Sequence, residues 1–108
     1  EQGYAAVIQE VVSYISGHLE ENLNLEALCR RTALSPYHFI RVFKRETGFT
    51  PHQYVMNARM DAARYLLANT GLQIKEIGYR IGFSSESAFS SAFRKAEGMS
   101  PAQYRSRV

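Results

Sequence analysis

A chain of 108 residues with 45% apolar side chains, seven Tyr and six Phe has the material for one compact module, or two very small ones sharing a helix, which excludes a disordered chain. The single cysteine, Cys29, excludes an internal disulfide framework and suits a reducing cytosol; no run of 18 apolar residues is present to cross a membrane, and no signal peptide opens the chain. The net charge of +3 is uneven: residues 1–28 hold five Glu and no Lys or Arg, whereas residues 29–108 hold all 13 basic residues against five acids and sum to +8.

Taken in chain order, almost every segment reads as helix, and no strand pattern, linker or low-complexity stretch is convincing. Ala5 to Leu19 sets Ile8, Val11, Val12, Ile15 and Leu19 on one stripe at steps of three and four. Asn24 caps a short helix through Arg31 with Leu25 and Leu28 inward, and Cys29 in that stretch reads as a small core residue. Ser35-Pro36 starts a helix that runs to Thr47, where Gly48 stops it. Thr50-Pro51-His52-Gln53 has the form of a capping box, with Phe49 and Tyr54 placed as a hydrophobic staple, and opens a long helix reaching about Ala68. Asn69-Thr70-Gly71 closes it. Ile74 to Ile81 form another short helix with Gly82 after it. Ser84 or Ser85 then caps a helix ending at Glu97, followed by Gly98, and Ser100-Pro101-Ala102-Gln103 repeats the capping box with Met99 and Tyr104 as its staple.

The chain contains an internal repeat. Gly48-Phe49-Thr50-Pro51-His52-Gln53-Tyr54 matches Gly98-Met99-Ser100-Pro101-Ala102-Gln103-Tyr104 at an offset of 50; Phe43-Lys44-Arg45 matches Phe93-Arg94-Lys95 and Phe39 matches Phe89 at the same offset. Leu25 and Leu28 match Ile74 and Ile77 at an offset of 49, so the extra residue falls in the turn near Ser84. Short helix, tight turn, longer helix is a helix-turn-helix pattern, and it occurs twice. The expected organisation is a first helix-turn-helix subdomain over residues 1–50, a linker helix over 51–69 and a second subdomain over 70–108.

Placed on a wheel at about 100° per residue, the helix 36–47 turns Phe39, Val42 and Phe43 to one side and Tyr37, Arg41 and Lys44 to the other, with Ile40 and Arg45 on the flanks. An arginine fork matches guanine in the major groove, so Arg41 is a candidate base reader. Lys44 and Arg45, further along, suit phosphates, as does the helix start at Ser35. Tyr37 suits a thymine methyl or covers its own helix end. The helix 85–97 puts Phe89, Ala92, Phe93 and Ala96 inward and Ser87, Ser91 and Arg94 outward, with Ser90 and Lys95 beside them. Glu86 in the first turn either accepts from a cytosine amino group or favours the positive end of the helix dipole.

Other chemistry finds no support. His18, His38 and His52 lie on different elements with no i,i+4 pair and no cysteine at zinc spacing; His38 and His52 read as phosphate contacts or surface residues. No dinucleotide, phosphate-loop or nucleophile-elbow motif occurs, so the expectation is a non-enzyme without metal or cofactor. On charge alone, a polyanion partner and a merely solvated basic face stand level. The duplicated Ser-capped helix with the same basic exit, Lys44-Arg45 and Arg94-Lys95, favours duplex DNA over an acidic protein partner. Architectural binding without base preference is a third reading.

Together these residues resemble the AraC/XylS family of bacterial transcription regulators. The second half carries the clearer match: Ile74-x-Glu76-Ile77 through Gly82-Phe83, then Phe89-Ser90-x-x-Phe93-Arg94-Lys95-x-x-Gly98-x-Ser100-Pro101-x-x-Tyr104-Arg105. The first half matches through Leu34-Ser35-Pro36-x-x-Phe39-x-Arg41-x-Phe43-Lys44-x-x-x-Gly48-x-Thr50-Pro51-x-x-Tyr54, and Arg59, Ala62 and Leu66-Leu67 resemble the family's linker helix. The resemblance implies an all-α, seven-helix cytoplasmic domain whose two recognition helices enter successive major grooves of double-stranded DNA. Carried over by position, Tyr37, Ile40 and Arg41 read bases in the first unit and Glu86, Ser87, Ser90 and Ser91 in the second. Three departures stand out. Ser91 occupies a position where arginine is common, Ser84 and Ser85 stand where acids are frequent, and Gly78 replaces a usual alanine at about 1 kcal/mol in a helix interior. The first unit is therefore expected to dominate affinity. A linker helix of some 18 residues spans roughly 27 Å, against about 34 Å for one DNA turn, so one chain is expected to cover a non-palindromic site of roughly two turns. The chain does not begin with Met and is expected to be a piece of a longer protein, with RNA polymerase and an N-terminal effector or dimerisation domain as further partners.

Overall fold

Side-chain oxygens cap the starts of five helices, at Asn24, Ser35, Thr50, Ser85 and Ser100. In the computed structural model, which describes residues 3–108, seven helices follow in order: α1 (Tyr4–Gly17), α2 (Leu25–Cys29), α3 (Pro36–Thr47), α4 (Pro51–Asn69), α5 (Ile74–Arg80), α6 (Glu86–Glu97) and α7 (Pro101–Arg107). No strand occurs among the described residues. Asn24 accepts the Ala27 N–H at 2.8 Å, Ser35 that of His38 at 3.3 Å and Ser85, rather than Ser84, that of Ala88 at 3.0 Å. Both capping boxes form: the Gln53 N–H donates to Thr50 Oγ1 at 3.2 Å and the Thr50 N–H to Gln53 Oε1 at 3.0 Å, with 3.1 and 2.9 Å for Gln103 and Ser100. Each such cap contributes about 1 kcal/mol. The stops are equally local. Gly48 (φ 86°) and Gly98 (φ 79°) take the left-handed conformation, and their N–H groups donate to the Lys44 and Arg94 carbonyls at 2.8 Å.

The helices fall into a first unit up to Ala58 and a second from Arg59, so α4 contributes its first half to one and its second half to the other. In the first unit, Ile8, Val11 and Ile15 of α1 pack with Leu28, Cys29, Phe39, Val42, Phe43 and Val55. In the second, Met60, Ala63, Leu67, Ile77, Ile81, Phe89 and Phe93 are buried. Met60, Ala63 and Leu67 have the same spacing as Ile8, Val11 and Ile15, three then four residues. The second half of α4 thus serves its unit as α1 serves the first, and the repeat extends one helix further back than the matching residues alone suggest.

An aromatic run recurs in each unit. Phe39 meets Phe43 at 5.6 Å between ring centroids and Phe43 meets Tyr54 edge-on at 5.6 Å; Phe89 meets Phe93 at 5.8 Å and Phe93 meets Tyr104 at 5.5 Å. Burying each phenylalanine contributes about 1.5–3 kcal/mol, with a further 0.5–1.5 kcal/mol for each tilted or edge-on pair. Phe49 and Tyr54, 6.5 Å apart, form the expected staple.

Several expectations need correction. Helix α1 ends at Gly17, so Leu19 lies beyond it; the His18 N–H donates to the Ile15 carbonyl at 3.2 Å, and the imidazole Nδ1–H donates to the Tyr14 carbonyl at 2.8 Å. Helix α2 ends at Cys29 and α5 at Arg80, about one and a half and two turns long. Leu25 is 36% exposed rather than inward, because a five-residue helix has room for little more than one inward face, taken by Leu28 and Cys29. Ala96 is exposed and Ala92 half-buried, since the core under α6 is filled by Phe89 and Phe93.

The two units close their loops differently. After α1 the segment 18–24 turns back on itself, with the Glu21 N–H donating to the His18 carbonyl at 3.0 Å. After α4 the segment 70–73 is shorter, and Arg105 of α7 supplies donors instead. Its guanidinium donates to the carbonyls of Leu67, Leu72 and Thr70 at 3.1, 2.7 and 3.2 Å. The Leu67 carbonyl, left over at the C-terminus of α4, and two carbonyls of the following loop are thereby satisfied by a cation, the charge that end of the helix dipole prefers.

Candidate nucleic-acid interface

Helices α3 and α6 are each 12 residues long and stand 50 residues apart, cap to cap and glycine to glycine. Phenylalanines at equivalent positions hold them to their units, Phe39 and Phe43 in one, Phe89 and Phe93 in the other. What remains outward is the candidate interface.

On α3, Tyr37 is 74% exposed, and Arg41, Lys44 and Arg45 are exposed with it, while Ile40 is half-buried. The Arg41 guanidinium carbon sits 5.8 Å from the centroid of the Tyr37 ring. Arg45 lies 3.8 Å from Glu46. Ser35 is exposed, with its oxygen already engaged as the helix cap. On α6, Glu86, Ser87, Ser91, Arg94 and Lys95 are exposed and Ser90 is half-buried. The two faces share their basic exit but differ at the centre, where Ser87 and Ser91 stand in the register of Tyr37 and Arg41. That ring-and-cation pair was not anticipated from the sequence. Its signal is the i,i+4 spacing, which sets two long side chains on the same stripe.

Around these faces lie supporting contacts. His38 is half-buried, its ring edge-on to Tyr4 at 5.2 Å, whereas His52 is exposed in the first turn of α4. Cys29 is buried, and its thiol donates to the Leu34 carbonyl at 3.1 Å in the turn before α3. In the second unit, Arg64 is paired with both Asp61 and Glu97, which fixes the C-terminal end of α6 to α4. Arg59 lies 5.9 Å from the Phe83 ring, and burial lowers its pKa from the ordinary arginine value. Phe83 in turn packs on Phe89 at 5.6 Å, so the turn between α5 and α6 is anchored to both helix α4 and helix α6. Tyr14 has a raised pKa because its hydroxyl donates to the Glu21 carboxylate; its ring lies 3.8 Å from His18 and 3.6 Å from the Arg31 guanidinium. No cluster of three or more potential metal ligands occurs among the described residues.

The helix-turn-helix domain family matches residues 28–107, most of the chain. The chain belongs to the AraC/XylS family of transcription regulators. It is 39% identical over 92 residues to the probable transcriptional regulator LumQ of Photobacterium leiognathi, covering 85% of this chain and 37% of that protein. It is 34% identical over 101 residues to the regulatory protein PocR of Salmonella typhimurium, covering 94% and 33%. The AraC-type fold is shared with the C-terminal domain of AraT, a response regulator from Geobacillus stearothermophilus, at a TM-score of 0.89 and 35% identity over 94% of this chain and 85% of that one. It is shared also with the DNA-binding domain of AdpA, a global transcriptional factor solved with a target DNA, at a TM-score of 0.88 and 35% identity over 93% and 90%. The chain spans about a third of the length of these curated relatives, 37% of LumQ and 33% of PocR. As an AraC/XylS domain it is all-helical throughout its described residues, with seven helices in two units, and no helix is long and apolar enough to cross a membrane.

Proposed function

We propose that this chain is the sequence-specific, duplex-DNA-binding domain of a bacterial, cytoplasmic transcription regulator, with α3 and α6 entering successive major grooves. The observation that carries the proposal is the duplication of one exposed face. Two capped 12-residue helices, each held by a phenylalanine pair, end in the exposed basic pairs Lys44-Arg45 and Arg94-Lys95. A polyanion with a regular repeat gives a reason for such repetition; a single acidic protein surface gives none.

In this reading Arg41 takes guanine through its two-pronged edge, and Tyr37 and Ile40 make the neighbouring apolar contacts. Glu86, Ser87, Ser90 and Ser91 read the second half-site, more weakly, because hydroxyls donate and accept with little preference. Ser35, Lys44, Arg45, Arg94 and Lys95 hold phosphates and so fix the register. Helix α4 joins two helix-turn-helix subdomains, 1–50 and 70–108, through residues 51–69. The chain performs no catalysis and needs no cofactor in this role. RNA polymerase and an effector or dimerisation domain N-terminal to Glu1 complete the regulator. AdpA supports the reading as a structural neighbour solved with its target DNA.

Fluorescence anisotropy with a labelled random-sequence duplex, titrated from 50 to 200 mM salt, tests the polyanion part. Neutralising about four phosphates, one for each of Lys44, Arg45, Arg94 and Lys95, predicts a loss of roughly 10²-fold in affinity across that range. Absence of binding at the lowest salt would overturn the proposal in favour of an acidic protein partner.

A further inference from the structure

We propose that Tyr37 is a positioning residue for Arg41: its ring, rather than its hydroxyl, holds the guanidinium ready for the base that Arg41 reads. The inference rests on the base-reading role proposed for α3. Tyr37 is 74% exposed, so the ring is not there to fill the core. It sits one helical turn before Arg41, and the guanidinium carbon is 5.8 Å from the ring centroid, within the distance at which a cation is attracted to an aromatic face. Among the described residues no carboxylate is paired with Arg41, so the ring is the partner that restrains it.

The restraint matters because an exposed arginine samples many rotamers, and binding a base requires one of them. A ring that narrows the choice beforehand lowers the ordering cost when DNA arrives. A carboxylate partner would compete for the N–H groups that guanine needs. An aromatic face attracts the cation without accepting conventional hydrogen bonds from those N–H groups, which stay available to O6 and N7. Helix α6 lacks the device: Ser87 and Ser91 fill the same register. Tyrosine ring and arginine are therefore present together on α3 and absent together from the same register of α6.

The test uses the tightest duplex recovered from a random pool and the set of its single base-pair replacements across the first half-site. Discrimination, the ratio of affinities for the recovered and replaced base pair, is measured for the unaltered chain, Arg41→Ala, Tyr37→Ala, Tyr37→Phe and the Tyr37→Ala/Arg41→Ala pair. Arg41→Ala is expected to lose discrimination at one guanine. Tyr37→Ala should lose about two- to fivefold at that same base pair, the size of an exposed cation–aromatic contact. Tyr37→Phe should keep it, and the double variant should discriminate no worse than Arg41→Ala alone. Thermal unfolding of each variant is recorded alongside, with little change expected at such exposed positions. The proposal is overturned if Tyr37→Phe behaves as Tyr37→Ala at the base pair Arg41 reads, if Tyr37→Ala leaves discrimination at that base pair unchanged, or if the two losses there add. Should Arg41→Ala leave discrimination untouched everywhere, or no duplex be preferred, base reading by α3 fails and the positioning role fails with it.

Discussion

A Cβ placed on Gly78 would lie 3.0 Å from the Cβ of Phe89 and 3.2 Å from its ring carbons Cγ and Cδ2. Helix α5 therefore approaches α6 with glycine at the contact, whereas the corresponding position in the first unit holds Cys29, whose thiol turns to the Leu34 carbonyl. Helix propensity counts against Gly78 by about 1 kcal/mol; close packing is what offsets it.

Gly78→Ala separates the two effects. Propensity alone predicts a stability gain of about 1 kcal/mol, and overpacking a filled contact costs about 1–3 kcal/mol. The facing atom is a Cβ fixed to the α6 backbone, so it yields only if α6 moves. The expected result is a net loss of about 1 kcal/mol in urea unfolding.

Arg105→Ala removes three hydrogen bonds, to the carbonyls of Leu67, Thr70 and Leu72, and leaves the end of α4 without its cation. Charged hydrogen bonds contribute about 1.5–3 kcal/mol each but do not add fully, so a loss of about 3 kcal/mol is expected. Arg105→Lys should recover only part, because an ammonium cannot reproduce the guanidinium fork. Urea denaturation gives the magnitude, and faster amide exchange confined to the second unit checks the location.

These two contacts also mark where the sequence stopped being legible. Helix starts and stops were readable because their causes are local: Ser35 and Gly48 bound α3 at residues 36 and 47 as expected, and Gln53 and Gln103 complete the boxes that Thr50 and Ser100 open. The buried faces of α3 followed from spacing, since Phe39, Val42 and Phe43 all lie on one side. Leu25 and Ala96 were misplaced because a five-residue helix and a last helical turn carry too few residues for periodicity to define a face. In α4, Val55 belongs to the first core and Met60, Ala63 and Leu67 to the second, so its apolar residues do not share one stripe. Arg105 and Gly78 depend on partners 33 to 38 and 11 residues away, which no local pattern announces. For the candidate interface, the exposed residues were legible, but the Tyr37–Arg41 contact needed side-chain positions.

The basic exits should act alike and independently of sequence. Lys44→Ala or Arg94→Ala is expected to weaken binding by a similar factor on every duplex and to reduce the slope of log affinity against log salt by about 1 each. Titrations at several salt concentrations on recovered and random duplexes provide the comparison.

The reading faces should act unequally. Arg41→Ala is expected to cost about 1–3 kcal/mol on the recovered duplex, the worth of a good bidentate pair, and Ser91→Ala under about 1 kcal/mol. Equilibrium binding at fixed salt decides it. A large loss from Ser91→Ala with none from Arg41→Ala would reverse the roles assigned to the two units.

Selection from a random duplex pool, followed by sequencing of the enriched molecules, tests the central claim most directly. The account predicts two unlike motifs about one helical turn apart, the one under α3 sharper and containing a guanine, in a non-palindromic site bound by one chain. A symmetric site bound by two chains, or binding with no enriched sequence at all, would contradict it.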